Sequence, residues 1–196
     1  MSKMGIGTFL PQKAVLKKQY RYTMQFDKTE WADAIPPISV MRSQRPTLNV
    51  EKNELFFMNE RAFVAAKGSW DPISVTFYDF ATAGTDGSHT RIINWIKACY
   101  WFDEPAQSGL MGEAGGVYKR NGALSMYDAM GRVLEQWTLY GCFIESYNPG
   151  DLSYDSSDLA TIECTISLDQ ANLVFQAYGG DTRPNASGDA SNNSFA

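Results

Sequence analysis

Apolar and polar side chains alternate from Leu16 to Phe26. Leu16, Tyr20, Tyr22, Met24 and Phe26 share one face, and Lys17, Gln19, Arg21, Thr23 and Gln25 share the other. This period of two predicts a strand with one dry and one wet face. Residues 27–46 contain Pro36, Pro37 and Pro46 and read as a linker or irregular loop. Residues 47–66 read as a long hairpin, with Leu48 and Val50 alternating on the way out. Near its tip stand four consecutive large apolar residues, Leu55, Phe56, Phe57 and Met58. A solvated tip should be polar, so such a run is either core or an interaction surface.

Lys67-Gly68-Ser69 predicts a turn, after which Ile73, Val75 and Phe77 alternate with Ser74, Thr76 and Tyr78. Residues 81–87 form a small-residue loop ending at Ser88, a good helix N-cap. Ile92, Trp95, Ile96 and Cys99 follow at helical spacing, and Tyr100, Trp101 and Phe102 crowd the end of that helix. A glycine-rich loop spans 103–117, and 122–146 reads as a hairpin turning at Met130-Gly131. In its second strand Val133, Trp137, Leu139 and Phe143 share one face; Leu134, Tyr140, Cys142 and Ile144 share the other. With both faces apolar, that strand is expected to be central and covered twice. After a polar loop at 148–157, Ile162, Cys164, Ile166 and Leu168 mark a final strand.

Beyond Tyr178 the composition turns to small and polar residues, which cannot bury enough apolar surface to offset the entropy of ordering. The expected organisation is an N-terminal arm at 1–15, one β domain at 16–178 and a flexible tail at 179–196. The fold class this predicts is mainly β: an antiparallel sandwich or partly closed barrel with one flanking helix and a long hairpin.

Composition narrows the function by exclusion. The 196 residues suffice for one well-buried core. A net charge of −5 argues against a protein that grips nucleic acid through its phosphates. No apolar run of membrane-spanning length occurs. The stretch MSKMGIGTFLPQKAV lacks the basic head and apolar core of a secretion signal, so synthesis in a cytoplasm is expected.

Catalytic chemistry is hard to find. There is no GxSxG, phosphate-binding glycine loop or HExxH. His89 is the single histidine, and Cys99, Cys142 and Cys164 lack metal-ligand spacing, so neither zinc nor another cofactor is expected. Asp151, Asp155 and Asp158 sit at an inviting spacing but lack the glycine and glutamate of a calcium loop. Asp79 reads as a turn residue rather than a general base. Cys99 and Cys164 lie on apolar faces and read as buried thiols.

Two blocks carry a family resemblance. The first is Asn59, Phe63, Lys67-Gly68, Trp70, Pro72 and Val75–Tyr78. The second is Leu124, Asp128 and Gly131, the Trp137 strand, and Ser156-Ser157-Asp158 leading into Ala160, Ile162 and Thr165-Ile166. Their order and spacing resemble the tube protein of contractile-tailed bacteriophages, a superfamily that includes the Hcp proteins of type VI secretion. The resemblance covers residues 16–170 and leaves out 27–46 and the tail.

It implies a non-enzymatic structural subunit whose hexameric rings stack helically into a hollow tube. The tube would sit in a virion tail, assembled in the host cytoplasm and enclosed by a contractile sheath protein. Baseplate and tail-terminator proteins are further implied partners. DNA would pass through the lumen without sequence-specific binding during genome ejection, and no membrane is involved. A baseplate tube initiator or an Hcp-like secretion ring is the alternative. A carbohydrate-binding sandwich is a third reading, with Trp70, Trp101 and Trp137 as sugar platforms.

Within the tube reading, Leu55, Phe56, Phe57 and Met58 are the inter-ring contact candidates. Asn49, Glu51, Glu60, Ser125, Gln136 and Thr138 are the lumen candidates, being polar residues on strand faces opposite apolar ones. Cys142, on the two-sided strand, is the thiol that could bridge neighbouring subunits once outside a reducing cytoplasm.

Overall fold

The chain forms eleven strands, one α-helix and a short 3-10 turn at Pro37–Ser39 in the computed structural model, which describes residues 16–29, 33–82, 87–102, 109–110, 118–155 and 157–175. In chain order these are β1 (Tyr22–Phe26), β2 (Val40–Ser43), β3 (Leu48–Phe57), β4 (Glu60–Trp70), β5 (Ile73–Tyr78) and α1 (Ser88–Cys99). They continue with β6 (Tyr100–Trp101), β7 (Gly109–Leu110), β8 (Arg120–Tyr127), β9 (Val133–Asn148), β10 (Thr161–Ser167) and β11 (Gln170–Phe175). The arm at 1–15, the tail at 179–196, Ser156 and most of the 103–117 loop lie outside the described residues.

Seven strands form one antiparallel sheet in the order β1-β8-β9-β10-β5-β2, with β11 also pairing β9. Both β8 and β11 flank the first half of β9, and β10 flanks its second half. The sheet therefore folds over along β9 into two leaves. It does not close, because among the described residues β1 and β2 do not pair with each other. Met24, Phe26, Leu124 and Leu139 from one leaf meet Val75, Phe77, Ile162 and Ile166 from the other, all buried.

Helix α1 contributes Ile92 and Trp95 to this core. The Trp95 ring lies 5.1 Å from that of Phe26, and its Nε1 donates to the Tyr118 carbonyl at 2.9 Å. No described helix is long and apolar enough to cross a membrane.

Several sequence expectations need correction. The strand expected from Leu16 begins only at Tyr22; Leu16 and Tyr20 are exposed, and a turn precedes β1. The 27–46 linker contains Ile35, fully buried and bridged to Phe26, together with strand β2. Strand β4 runs straight through Lys67-Gly68-Ser69, where the pairing register with β3 shifts by a bulge.

The helix N-cap is Gly87, not Ser88. The buried Ser88 hydroxyl donates to the Tyr78 carbonyl at 2.6 Å and so ties the helix to β5. Cys99 is partly exposed, the apolar stripe being completed by Ala98 instead. A further strand, β11, follows the one expected to be last.

Strand β9 is central, but it is not apolar on two faces. Gly141 (φ +65°) sits at an extra residue that shifts the register with β8, so Leu139 and Cys142 share the core side. A Cβ at Gly141 would stand 2.0 Å from the Asp169 carboxylate, and its backbone already lies where side chains are strained. Simple alternation loses parity at such a residue.

Candidate assembly surfaces

Among the described residues, strands β3 and β4 pair only with each other, forming a hairpin outside the main sheet. Every residue of β3 is exposed, and in β4 only Ala66 and Trp70 are half-buried. Cross-strand pairing places Leu55 opposite Ala62 and Phe57 opposite Glu60 on one face, with Phe56 opposite Arg61 on the other. The second face carries cations over an aromatic ring: Lys52 Nζ and Arg61 lie 4.6 Å and 5.0 Å from the Phe63 centroid.

Met58 occupies the tight turn at φ +52°, a conformation uncommon for a residue other than glycine. The four apolar tip residues thus point in different directions, and their exposure runs from 56% at Leu55 to 90% at Met58.

The six polar candidates fall on two separate surfaces. Asn49, Glu51 and Glu60 are exposed on the hairpin, and Asn49 Nδ2 donates to Asp71 Oδ1 at 2.6 Å. Ser125, Gln136 and Thr138 sit on the outward face of the β1-β8-β9-β11 leaf. There Thr23, Ser125, Gln136 and Val174 form one cross-strand row, and Gln25, Ala123, Thr138 and Asn172 form the next. Neither row contains a charge. Ser125, in the interior of the leaf, is buried.

The expectation for Cys142 assumed an accessible thiol. Its side chain has no exposed surface, and burial together with the nearby Asp169 charge pushes its pKa up to about 12. Cys164 is buried too and is likewise pushed to about 12.

Three features carried no periodic signal and were missed. Glu135 lies on the core side of β9, buried between Met126 and Phe175, where the pattern would place an apolar residue. Its carboxylate accepts from Lys17 Nζ and, at 2.7 Å, from Trp137 Nε1, with Arg45 Nη1 at 3.7 Å. Burial alone would raise its pKa. The bonds from Lys17 and Trp137 and the two cationic charges outweigh that and hold it below the usual carboxylate value.

Arg120 is the second. It is buried with its guanidinium 4.5 Å from the Trp95 centroid and Nη1 donating to the Asp33 carbonyl at 2.7 Å. Desolvation lowers its pKa to about 10. Third, His89 bonds through Nε2 to the Tyr147 hydroxyl, and its Nδ1 lies 3.5 Å from Asp79 Oδ2. Among the described residues no three of His, Cys, Asp or Glu gather as a metal would require.

No family model matches the chain, and no curated protein matches it. Solved structures do. Aligned with the tube-terminating cap of the anti-feeding prophage, the TM-score is 0.63 at 15% identity, over 88% of this chain and 100% of that one. A chain of the anti-feeding prophage baseplate gives 0.62 at 9% identity, over 83% and 97%. A chain of the sheath-tube complex of an extracellular contractile injection system, PVC, gives 0.58 at 14% identity, over 82% and 93%. The fold is therefore the one shared by tube and cap components of contractile injection systems. In detail it is the tail-tube form of the antiparallel β architecture, with an open sheet, one helix and a projecting hairpin.

Proposed function

We propose that this chain is a structural subunit of a phage tail tube. Hexameric rings stack into a hollow conduit, a contractile sheath surrounds it, and the genome leaves through the lumen. Baseplate and terminator proteins bound its ends. The role is mechanical, with no reaction catalysed.

The observation that carries this reading is the β3–β4 hairpin. A two-stranded hairpin is marginal in water, and this one exposes Leu48, Val50, Leu55, Phe56 and Phe57 together. Such a surface calls for a neighbour. The edges that β2, β11 and most of β1 leave unpaired among the described residues ask for the same thing, and ring closure would satisfy them. A repeated heterologous contact then grows a filament.

Leu55, Phe56, Phe57 and Met58 are the proposed ring-to-ring contact. The uncharged rows containing Ser125, Gln136 and Thr138 suit a lumen wall, because a wall of repeated basic residues would hold passing phosphates. Asn49, Glu51 and Glu60 would line the lumen only where the hairpin reaches it.

Electron microscopy of the purified protein tests this: rings and tubes are expected. Only monomers at every salt and protein concentration, with no growth on a baseplate template, would refute it. The likeness to a tube-terminating cap supports a second reading, a single-ring cap or initiator. Assembly length separates the two, since a cap or initiator stops at one ring.

A further inference from the structure

The loop between β9 and β10 carries apolar side chains that its own fold leaves in water. Leu152 is 90% exposed, and Tyr154 and Leu159 are fully or largely exposed as well. Asp151 and Asp155 bracket the stretch Leu152-Ser153-Tyr154, so the segment is apolar between two acids. Hydrogen bonds from Gly150 N to Asn148 Oδ1 and from Asp155 N to Ser153 Oγ shape it locally.

Elsewhere the chain holds a groove of about 460 Å³ where the open sheet leaves β1 and β2 unjoined. The exposed Tyr20 and Met41 line it together with the buried Leu124 and Met126, and so do Arg42 and Arg45. No acidic residue lines it; Arg45 pairs with Glu135 at 3.7 Å, and Arg42 has no ion-pair partner among the described residues. The groove thus mixes apolar side chains with Gln19, Ser43 and Gln44, and its two arginines complement the loop's two acids in charge.

We propose that Asp151–Asp155 of one copy docks into the β1–β2 groove of a second copy. Leu152 and Tyr154 lie against Tyr20, Met41 and Met126, and the two aspartates face Arg42 and Arg45. Loop and groove are different surfaces of one chain, so the contact is head-to-tail and repeats. The proposal deepens the tube reading by supplying a contact apart from the hairpin. Because the charges are exposed, salt weakens it.

Two variants of the full chain test it. Leu152→Ser/Tyr154→Ser removes the loop's apolar groups, and Arg42→Glu reverses the groove; neither touches the core. Each alone is expected to sediment as a smaller species than the wild type with an unchanged unfolding midpoint. Mixed together, they should form a joint species that grows no further, because one intact loop meets one intact groove. Arg42→Glu/Asp155→Arg should regain assembly.

A labelled peptide of residues 149–160 should bind the wild type, and Arg42→Glu should weaken that binding roughly tenfold or more. If both variants build wild-type tubes, the contact is wrong and the tube reading survives. If the wild type never builds tubes yet binds the peptide in an Arg42-dependent way, the contact survives and the tube reading falls. No joint species and no peptide binding, including a groove that takes some other molecule while ignoring the peptide, overturns the proposal.

Discussion

Strands β5 and β3 both carry large apolar side chains in β pairing, yet their fates are opposite. In β5, Ile73, Val75 and Phe77 are buried; in β3, Leu48, Val50, Leu55, Phe56 and Phe57 are all exposed. The difference is what lies on each side. β5 has β10 and β2 as neighbours and the opposite leaf across the core, whereas β3 has only β4. Each large side chain buried contributes about 1.5–3 kcal/mol. The folded body has collected that stabilisation within the chain, and the hairpin has deferred it to whatever covers it. Stability should therefore respond to substitutions in the body, and assembly to substitutions in the hairpin.

The largest effect should come from Trp95→Ala. It removes a buried ring packed on Phe26, a hydrogen bond to Tyr118 and the platform under Arg120. A loss of about 3–5 kcal/mol is expected in chemical unfolding. Phe56→Ser/Phe57→Ser should shift the same measurement by only about 0.5 kcal/mol, as surface changes do, while abolishing stacking in electron micrographs. Normal tubes from that double variant would show that the tip is not the contact. A large loss of monomer stability would show that the hairpin is held by the body after all.

Next comes Glu135, a charged group embedded in the body. Its folded pKa lies below the ordinary glutamate value of 4.5, so the unfolded chain binds more protons in the acid range. Its contribution is complete above about pH 4.5 and fades as the pH falls through the lower folded value. Urea unfolding of Glu135→Gln should therefore show a weaker pH dependence in that range than the wild type, alongside a lower midpoint at neutral pH. An unchanged acid slope would mean that the cluster of Lys17, Arg45 and Glu135 does not act as a unit.

The contrast between body and hairpin also marks what the sequence could reveal. Period-two alternation located β5, β10 and the buried end of β1, and period-3.6 spacing located α1, because one face of each is buried against a single core; β8 was found through the turn at Met130-Gly131. Alternation failed where geometry breaks the period. The bulge at Gly141 made β9 look two-faced, and the bulge in β4 made Lys67-Gly68 look like a turn. β2 hid in a proline-rich stretch because its exposed Met41 and Arg42 and half-buried Ser43 carry little apolar signal.

The hairpin tip was visible as an apolar run, but the opposite orientations of Phe56 and Phe57 were not. Glu135 was illegible for a different reason: an acid on a core face is readable only once Lys17 and Arg45, far away in sequence, are known to converge on it.

Thiol reactivity is a gentler probe of the same division. Burial raises the pKa of all three cysteines, but Cys142 and Cys164 are also sealed in the core, whereas Cys99 is partly exposed. A thiol reagent should label one cysteine, Cys99, in the folded subunit at neutral pH, and all three only after unfolding. Non-reducing electrophoresis of intact assemblies extends the test. A reductant-sensitive ladder lost in Cys142→Ser would mean that the sheet opens at Gly141 during assembly, while a ladder lost in Cys99→Ser would place the crosslink at the helix end.

The smallest expected change in stability is at Met58, and it isolates the hairpin best. At φ +52° a methionine is strained, by about 1 kcal/mol or a little more. Asparagine tolerates that conformation better, so Met58→Asn should leave the folded subunit equally stable or raise its stability by a few tenths of a kcal/mol. Backbone preference alone would thus favour asparagine at this turn. A methionine kept in a costly turn, with its side chain 90% exposed, makes sense if that side chain is buried by a neighbour. Met58→Asn should then weaken tube formation, read as a higher critical concentration for assembly, even as the isolated chain unfolds no more easily. If assembly is unchanged or improved, the turn is only strained, and the contact surface begins below the tip at Leu55 and Phe57.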